Sequence, residues 1–286
     1  MSRLRLVTPE NERAAFEEMV RGPAGSAAAL AGGTDLLHDL DERRLVPERL
    51  VSLRRLGWGG HRWGPDGLLI GSTEPLSGLE ADPKLARRFP ALATAIAAVG
   101  SPALRQQATV GGNLGRAAPA SDLLPTLLVL DAEADLVGPG GGRRVLVDRF
   151  LRSSRQTDLQ PGELIRGIRL PEERPSSAYL WQRVAPVHDI SQIGVAVAFS
   201  PRDGRWRVGL GGVPPRPVLV AEAASELSQP RPPETEIRAA SERLAGHPAL
   251  VSDRRASDEH RRRLAAALLH RALGTAVESS QLPGRP

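Results

Sequence analysis

No cysteine occurs in these 286 residues. Its absence excludes disulfides, thiolate nucleophiles, and any iron–sulfur cluster or structural zinc held by cysteine on this chain. Lysine is nearly absent too. Lys84 stands alone, far from any glycine-rich segment, so a G-x-x-x-x-G-K-[ST] phosphate loop cannot be built. Aromatics are few (four Trp, four Phe, one Tyr) and do not interleave with basic residues in the way that stacks nucleobases. No apolar run approaches the roughly 20 residues of a membrane-spanning helix. The start, Met1-Ser2-Arg3-Leu4-Arg5, lacks the apolar core of a signal peptide. The chain therefore reads as cytoplasmic, with no membrane span. Six histidines (His38, His61, His188, His247, His260, His270) show neither H-x-x-x-H nor H-E-x-x-H spacing, and no metal site is expected.

What charge there is does not point to nucleic acid. The formal net charge is +5, carried almost wholly by arginines spread along the chain. The densest run, Arg261-Arg262-Arg263, shares a helical pattern with Asp258 and Glu259 and reads as a solvated face or partner contact. Hydrophobic residues make up 41%, enough at this length for a sizeable core shared by two or three units.

Pattern divides the chain at about 1–56, 57–173 and 174–286. In the first unit, Phe16, Met19 and Val20 suit a helix behind Pro9. Residues 27–30 read as a buried strand running into a glycine turn, Leu36, Leu37 and Leu40 as a short helix, and 50–53 as a strand. The second unit opens with a strand at 68–73. Leu92, Ile96 and Val99 lie on a helix that Gly100 can close, and 101–108 read as irregular. A second glycine turn follows Thr109-Val110, then a helix from Asp122 with Ser121 as N-cap and Pro125 in its first turn. A hairpin joins 134–137 to 145–147, and 164–170 form an alternating strand. Glu172-Glu173-Arg174-Pro175 reads as a linker. The third unit has strands at 178–183, 193–199 and 205–210, with Asp203-Gly204 turning between the last two. Helices follow, broken by proline at 230–233, the last at 258–273. Strands first and helices later describe an α+β domain.

Two segments carry chemistry: Ala31-Gly32-Gly33-Thr34-Asp35 and Thr109-Val110-Gly111-Gly112-Asn113. Paired glycines let successive N–H groups turn toward one point and let a ligand approach without a Cβ in the way. Neither segment fits the G-x-G-x-x-G dinucleotide fingerprint. By themselves they read either as ordinary strand-ending turns or as two anion nests for a diphosphate.

The residues around them narrow this. The segment 31–37, with 108–125 (Ala108 through Asp122 to Pro125), resembles the medium, FAD-binding subunit of the molybdenum hydroxylases, the xanthine dehydrogenase and aerobic carbon monoxide dehydrogenase family. Similar stretches at 130–134, 161–165, 210–213 and 253–264 extend the resemblance to essentially the whole chain. It implies two FAD-binding subdomains of the vanillyl-alcohol-oxidase (PCMH) type plus a C-terminal α+β domain with a three-stranded antiparallel sheet. It implies FAD as cofactor and a relay function: electrons from [2Fe-2S] clusters of a small partner subunit, beside a molybdenum-cofactor large subunit, pass to NAD+ or another acceptor. It also implies roles. Leu30, Ala31, Gly32, Gly33, Thr34, Asp35 and Leu36 match the first pyrophosphate loop, and Thr109, Val110, Gly111, Gly112 and Asn113 the second. Asp122 matches an acidic FAD contact, and Leu164 and Ile165 a segment beside the flavin.

Trp181, which the resemblance also places among the cofactor contacts, stands where relatives often carry lysine. A lysine neutralises charge; a tryptophan stacks, packs or donates one hydrogen bond, and Arg183 can supply charge from nearby. His188-Asp189 is not an acid–base pair on this reading, because adjacent strand residues face opposite sides. No protein nucleophile or general base is expected. The rivals are a stand-alone FAD oxidoreductase, which needs a substrate cavity and base of its own, and a non-catalytic FAD-binding scaffold or sensor.

Overall fold

Short apolar runs alternating with helical segments give parallel pairing, because parallel neighbours need a crossover between them. In the computed structural model, which describes residues 4–172, 176–183 and 191–279, the first unit follows this rule. It comprises β1 (Arg5–Val7), α1 (Glu12–Val20), β2 (Ala27–Leu30), α2 (Leu36–Asp41) and β3 (Arg49–Ser52), with a parallel sheet in the order β1-β3-β2. Central β3 is buried throughout. β2, expected to be buried, is only half so, because it is an edge strand whose free side walls a cavity.

The second unit contains β4 (His61–Gly64), β5 (Gly67–Gly71) and six helices: α3 (Leu76–Glu80), α4 (Pro83–Arg88), α5 (Pro90–Ala98), α6 (Pro102–Arg105), α7 (Val110–Arg116) and α8 (Leu123–Val129). After them come β6 (Glu133–Gly138), β7 (Gly141–Leu146), α9 (Val147–Phe150), β8 (Leu151–Ser153), β9 (Gln156–Thr157) and β10 (Leu164–Leu170). The main sheet is antiparallel in the order β4-β5-β10-β6-β7. Strand alternation puts Leu68, Ile70, Ile168, Leu170, Ala134 and Leu136 on one face, all buried in the largest core.

Two expectations in this unit change. The stretch 101–108 is not irregular: Ser101 caps α6, its hydroxyl accepting from Leu104 N at 3.2 Å, with Pro102 in first position. The second glycine pair is not a turn after a strand. Thr109 is the N-cap of α7, its side chain accepting from Gly112 N at 3.0 Å, so both glycines lie in the helix's first turn. A cap contributes about 1 kcal/mol, which helps offset the helix cost of the glycines, and Gly111 is required there by packing described below.

The third unit has β11 (Ser176–Gln182), β12 (Ile193–Ser200), β13 (Arg205–Gly211), β14 (Val218–Leu219), α10 (Ala221–Ala224), α11 (Glu234–Ala245) and α12 (Asp258–Ser279). The expected three-stranded sheet carries β14 as a fourth, two-residue strand on β13. The last helix runs beyond the expected 273 to Ser279. Arg261 is not on a solvated face: it is 0% exposed, donating to the Gly212 carbonyl at 2.7 Å and pairing with Asp253. The Gly212 N–H in turn donates to the Pro119 carbonyl at 2.9 Å, tying this unit to the loop between α7 and α8. Among the described residues no helix is long and apolar enough to cross a membrane.

Candidate cofactor-binding site

Where the edge of the parallel sheet meets α7 and the start of β10, the chain leaves a cavity of about 630 Å³. One wall is residues 27–29 of β2 and the turn that follows. Ala31, Gly32, Gly33, Thr34, Asp35 and Leu36 all line it. The facing wall holds Thr109, Gly111, Gly112 and Asn113, and Leu164 and Ile165 lie at the start of β10. Segments far apart in sequence thus converge on one space. Four expected residues do not line it. Leu30 closes β2, Val110 is 1% exposed in the core, and Asp122 and Trp181 lie elsewhere, as described below.

The two glycine segments are built differently. In the first, the N–H groups of Gly32, Gly33, Thr34 and Asp35 have no hydrogen-bond partner among the described residues. Gly33 has φ +78°, a conformation that costs a side-chain-bearing residue about 1 kcal/mol or more. A Cβ on Gly32 would lie 1.9 Å from the Gln107 carbonyl oxygen, so that glycine lets the two units close on one another. In the second segment the amides are spent inside the protein. Gly111 N donates to Ser72 O (3.1 Å), Gly112 N to Thr109 Oγ1 (3.0 Å) and Asn113 N to Thr109 O (3.0 Å). A Cβ on Gly111 would lie 2.4 Å from Ser72 Cβ. Asn113 Oδ1 accepts from Ser121 Oγ (2.6 Å), and Ser121 Oγ also accepts from Leu124 N (3.3 Å), joining α7 to the start of α8.

The charge at the cavity comes from residues that motif reading does not find. Asp39, on α2, is 1% exposed and lies among Arg116, Arg44 and Arg155, all four lining the cavity. Arg116 Nη2 donates to Asp39 Oδ1 at 3.0 Å. Burial by itself would raise the Asp39 carboxyl. The hydrogen bond and charge of Arg116, reinforced by Arg155 and Arg44, hold it below the ordinary carboxylate value. The lining thus holds three arginines and three carboxylates, Asp39, the exposed Asp35 and Glu163, the last paired with Arg143 from outside the cavity. The sequence signal is slight: Asp39 is one helical turn after Asp35, but its arginines come from 44, 116 and 155.

Asp122 is committed to a buried junction instead. Its carboxylate accepts from Tyr179 Oη (2.7 Å), Ser191 Oγ (2.6 Å) and Arg183 Nη2 (2.8 Å), joining the second unit to the third. Burial, then the neighbouring Asp122 charge, pushes the Tyr179 hydroxyl well above its usual value, so it stays a donor. Trp181 stacks on Tyr179 with ring centroids 5.5 Å apart, and the Arg183 guanidinium lies 5.5 Å from the indole centroid. This aromatic–cation stack occupies the position where the resemblance led us to look for lysine. His188, Asp189 and the linker residues Glu173, Arg174 and Pro175 lie outside the described residues.

Residues 2–173 match the family described as FAD binding domain in molybdopterin dehydrogenase, and residues 182–276 the CO dehydrogenase flavoprotein C-terminal domain. The carbon monoxide dehydrogenase medium chain of Afipia carboxidovorans is 28% identical over 256 residues, covering 86% of this chain and 88% of its own. A putative xanthine dehydrogenase FAD-binding subunit, XdhB, of Escherichia coli is 29% identical over 263 residues, 89% of this chain and 90% of its own. A chain of the cyanide-inactivated Cu,Mo-CO dehydrogenase crystal structure superposes with a TM-score of 0.88 at 26% identity, covering 98% of this chain and 99% of that one.

Proposed function

From the premise that this chain belongs to the FAD-binding family of the molybdopterin dehydrogenases, and is an oxidoreductase subunit with FAD as its cofactor, we propose that it relays electrons within a heteromeric complex. On this reading it takes them from [2Fe-2S] clusters of a partner subunit and passes them to NAD+ or another acceptor, while a molybdenum-cofactor large subunit carries out the substrate chemistry. Three observations support this. The chain has no cysteine with which to hold a cluster of its own. The relatives are named as a medium chain and an FAD-binding subunit. The cavity offers anion contacts and no nucleophile–base pair.

The residues present fit the cofactor. FAD when bound supplies the redox chemistry, so the chain's tasks are to bind, orient and exclude water. The observation that carries the reading is the free N–H row of Gly32, Gly33 and Thr34 beside an arginine-rich wall. Unpartnered amides and neighbouring guanidinium groups satisfy a diphosphate without a metal. We assign Arg116 and Arg155 to the same anion. Gly111, Gly112 and Asn113 form the close opposite wall, and Leu164 and Ile165 an apolar surface for a ring system. Asp122 and Trp181 act at one remove, by fixing the third unit against α8. The division at 56/57 and 173/174 is part of this proposal.

The test begins with the chain purified alone. Its visible spectrum should show bound oxidised flavin, and a protein colourless even after FAD addition would remove the binding role given to these residues. Mixed with molybdenum and iron–sulfur subunits, the flavin-loaded chain should be required for acceptor reduction. Turnover of a small substrate by the chain unaided would sink the partner claim.

A further inference from the structure

The face of the five-stranded sheet turned away from the core holds a second concavity, of about 540 Å³, that shares no lining residue with the cofactor cavity. Its location follows from strand register. Arg62 on β4 pairs with Leu69 on β5, and Leu69 with Arg169 on β10, so all three side chains point to the same outer face. The two arginines therefore flank one leucine, their Cα atoms roughly 10 Å apart at the usual strand spacing. Between them the floor is kept low by Gly71, where a Cβ would lie 2.2 Å from the Trp58 carbonyl oxygen of the loop forming the end wall.

The charges there are unequally matched. Arg166, displaced by the bulge in β10, is held by Asp135 at 3.1–3.3 Å. The side chains of Arg62 and Arg169 have no hydrogen bond or ion pair among the described residues, and the Nε of Arg169 is buried without a partner. Glu133, opposite Arg169 in register, makes no ion pair with it. His61, at the edge, is occupied by Glu74 (3.3 Å) and Asp82 (3.2 Å). Three arginines against one lining carboxylate leave two guanidinium groups without an ion pair, with a buried N–H still needing an acceptor.

We propose that this trough is a binding site for a phosphate group, that of a small phosphorylated metabolite or of free phosphate. A phosphate monoester carries close to two negative charges at neutral pH and three acceptor oxygens, which match two guanidinium forks converging from opposite sides. A monocarboxylate would leave one charge unmatched. Trp58 cannot serve as a base-stacking platform, being 6% exposed with its Nε1 donating to Glu12, so the recognised part is the anion and not a nucleobase.

The test is calorimetric titration of the flavin-loaded chain with inorganic phosphate, with glycerol 3-phosphate, and with succinate as a carboxylate of the same charge. Saturable binding of either phosphate probe, weakening as salt rises and at least about ten-fold tighter than succinate, is expected. Tighter binding of the ester than of free phosphate identifies a metabolite as the source; the reverse identifies the free ion. Arg169→Gln should weaken binding about ten-fold, and Arg62→Gln with Arg169→Gln should abolish it, with the flavin spectrum unchanged. No saturable phosphate binding, preference for succinate, or phosphate binding that survives the double substitution each overturns the proposal. The last also distinguishes this site from the cofactor cavity, whose anion contacts remain intact in that variant.

Discussion

Gly32 and Gly33 sit in an open turn between β2 and α2, whereas Gly111 and Gly112 sit inside the first turn of α7, across the same cavity. In the first pair a positive φ and a row of unpartnered N–H groups give the backbone a surface that can contact a ligand directly. In the second the amides are already bonded to Ser72 and Thr109, and the absent side chain of Gly111 matters because the end of β5 and α7 touch there. Similar composition therefore serves two physical ends, donation in one place and close packing in the other. A glycine pair near a cofactor cavity need not be a cofactor contact.

The largest test of this difference is Gly111→Val. Its Cβ would meet both the side chain and the carbonyl of Ser72, at 2.4 and 2.5 Å. Backbone cannot yield there, and a stability loss of about 3 kcal/mol or more should appear in chemical denaturation. Loss of flavin from a variant as stable as the parent would show instead that Gly111 is a ligand contact, erasing the contrast.

A smaller effect is expected from Asp39→Asn, which leaves Arg116 and its neighbours around a neutral group. The apo protein should lose about 2 kcal/mol, and the flavin-bound protein less, since the ligand's anion then supplies the missing charge. Equal losses with and without FAD would argue that the arginines do not face the cofactor. The pH dependence has a definite sign. The Asp39 carboxyl is held below its ordinary 3.8, so its contribution is complete above that value and is lost as pH falls beneath it. The Asn variant should lack that component of acid unfolding.

The smallest effects separate the segments most cleanly. Gly33→Ala forces a Cβ onto φ +78° and should cost about 1 kcal/mol of stability, with a weakening of FAD binding of about ten-fold as the amide row shifts. Gly112→Ala, whose Cβ would meet only Thr109 Oγ1 at 3.0 Å, gains helix propensity and should change stability by less than about 1 kcal/mol. Flavin titration of the two variants side by side should show the larger change for Gly33. A larger change for Gly112 would reverse the assignment.

Much of the framework was legible because its signals are local. The strand at 27–30, the helix after the first glycine turn and the alternating strand 164–170 all follow from periodicity and turn residues, as does the hairpin expected at 134–137 and 145–147, whose strands in fact span 133–138 and 141–146. α6 does not stand out although its signal, Ser101-Pro102, is equally local, because a helix of four residues leaves too little apolar periodicity. His61, Arg62 and Trp63 carry no apolar alternation, and their pairing with β5 is what makes β4 a strand. In the second glycine segment a helix start and a strand-ending turn share Thr, Gly and Asn, and contact with Ser72 decides between them.

By itself, then, the sequence determined the family, FAD as cofactor, the absence of any thiol chemistry, and the succession of many strands and helices, since each rests on residue identity or short-range pattern. Only the tertiary structure decided which glycines present free amides, that Asp39 gathers arginines from positions 44, 116 and 155, and that Asp122 belongs to a junction with Tyr179, Arg183 and Ser191. The reason is the same in each case. A hydrogen-bond donor is available or spent, and a charge matched or unmatched, according to what distant segments bring within about 3 Å of it, and sequence spacing does not encode that distance.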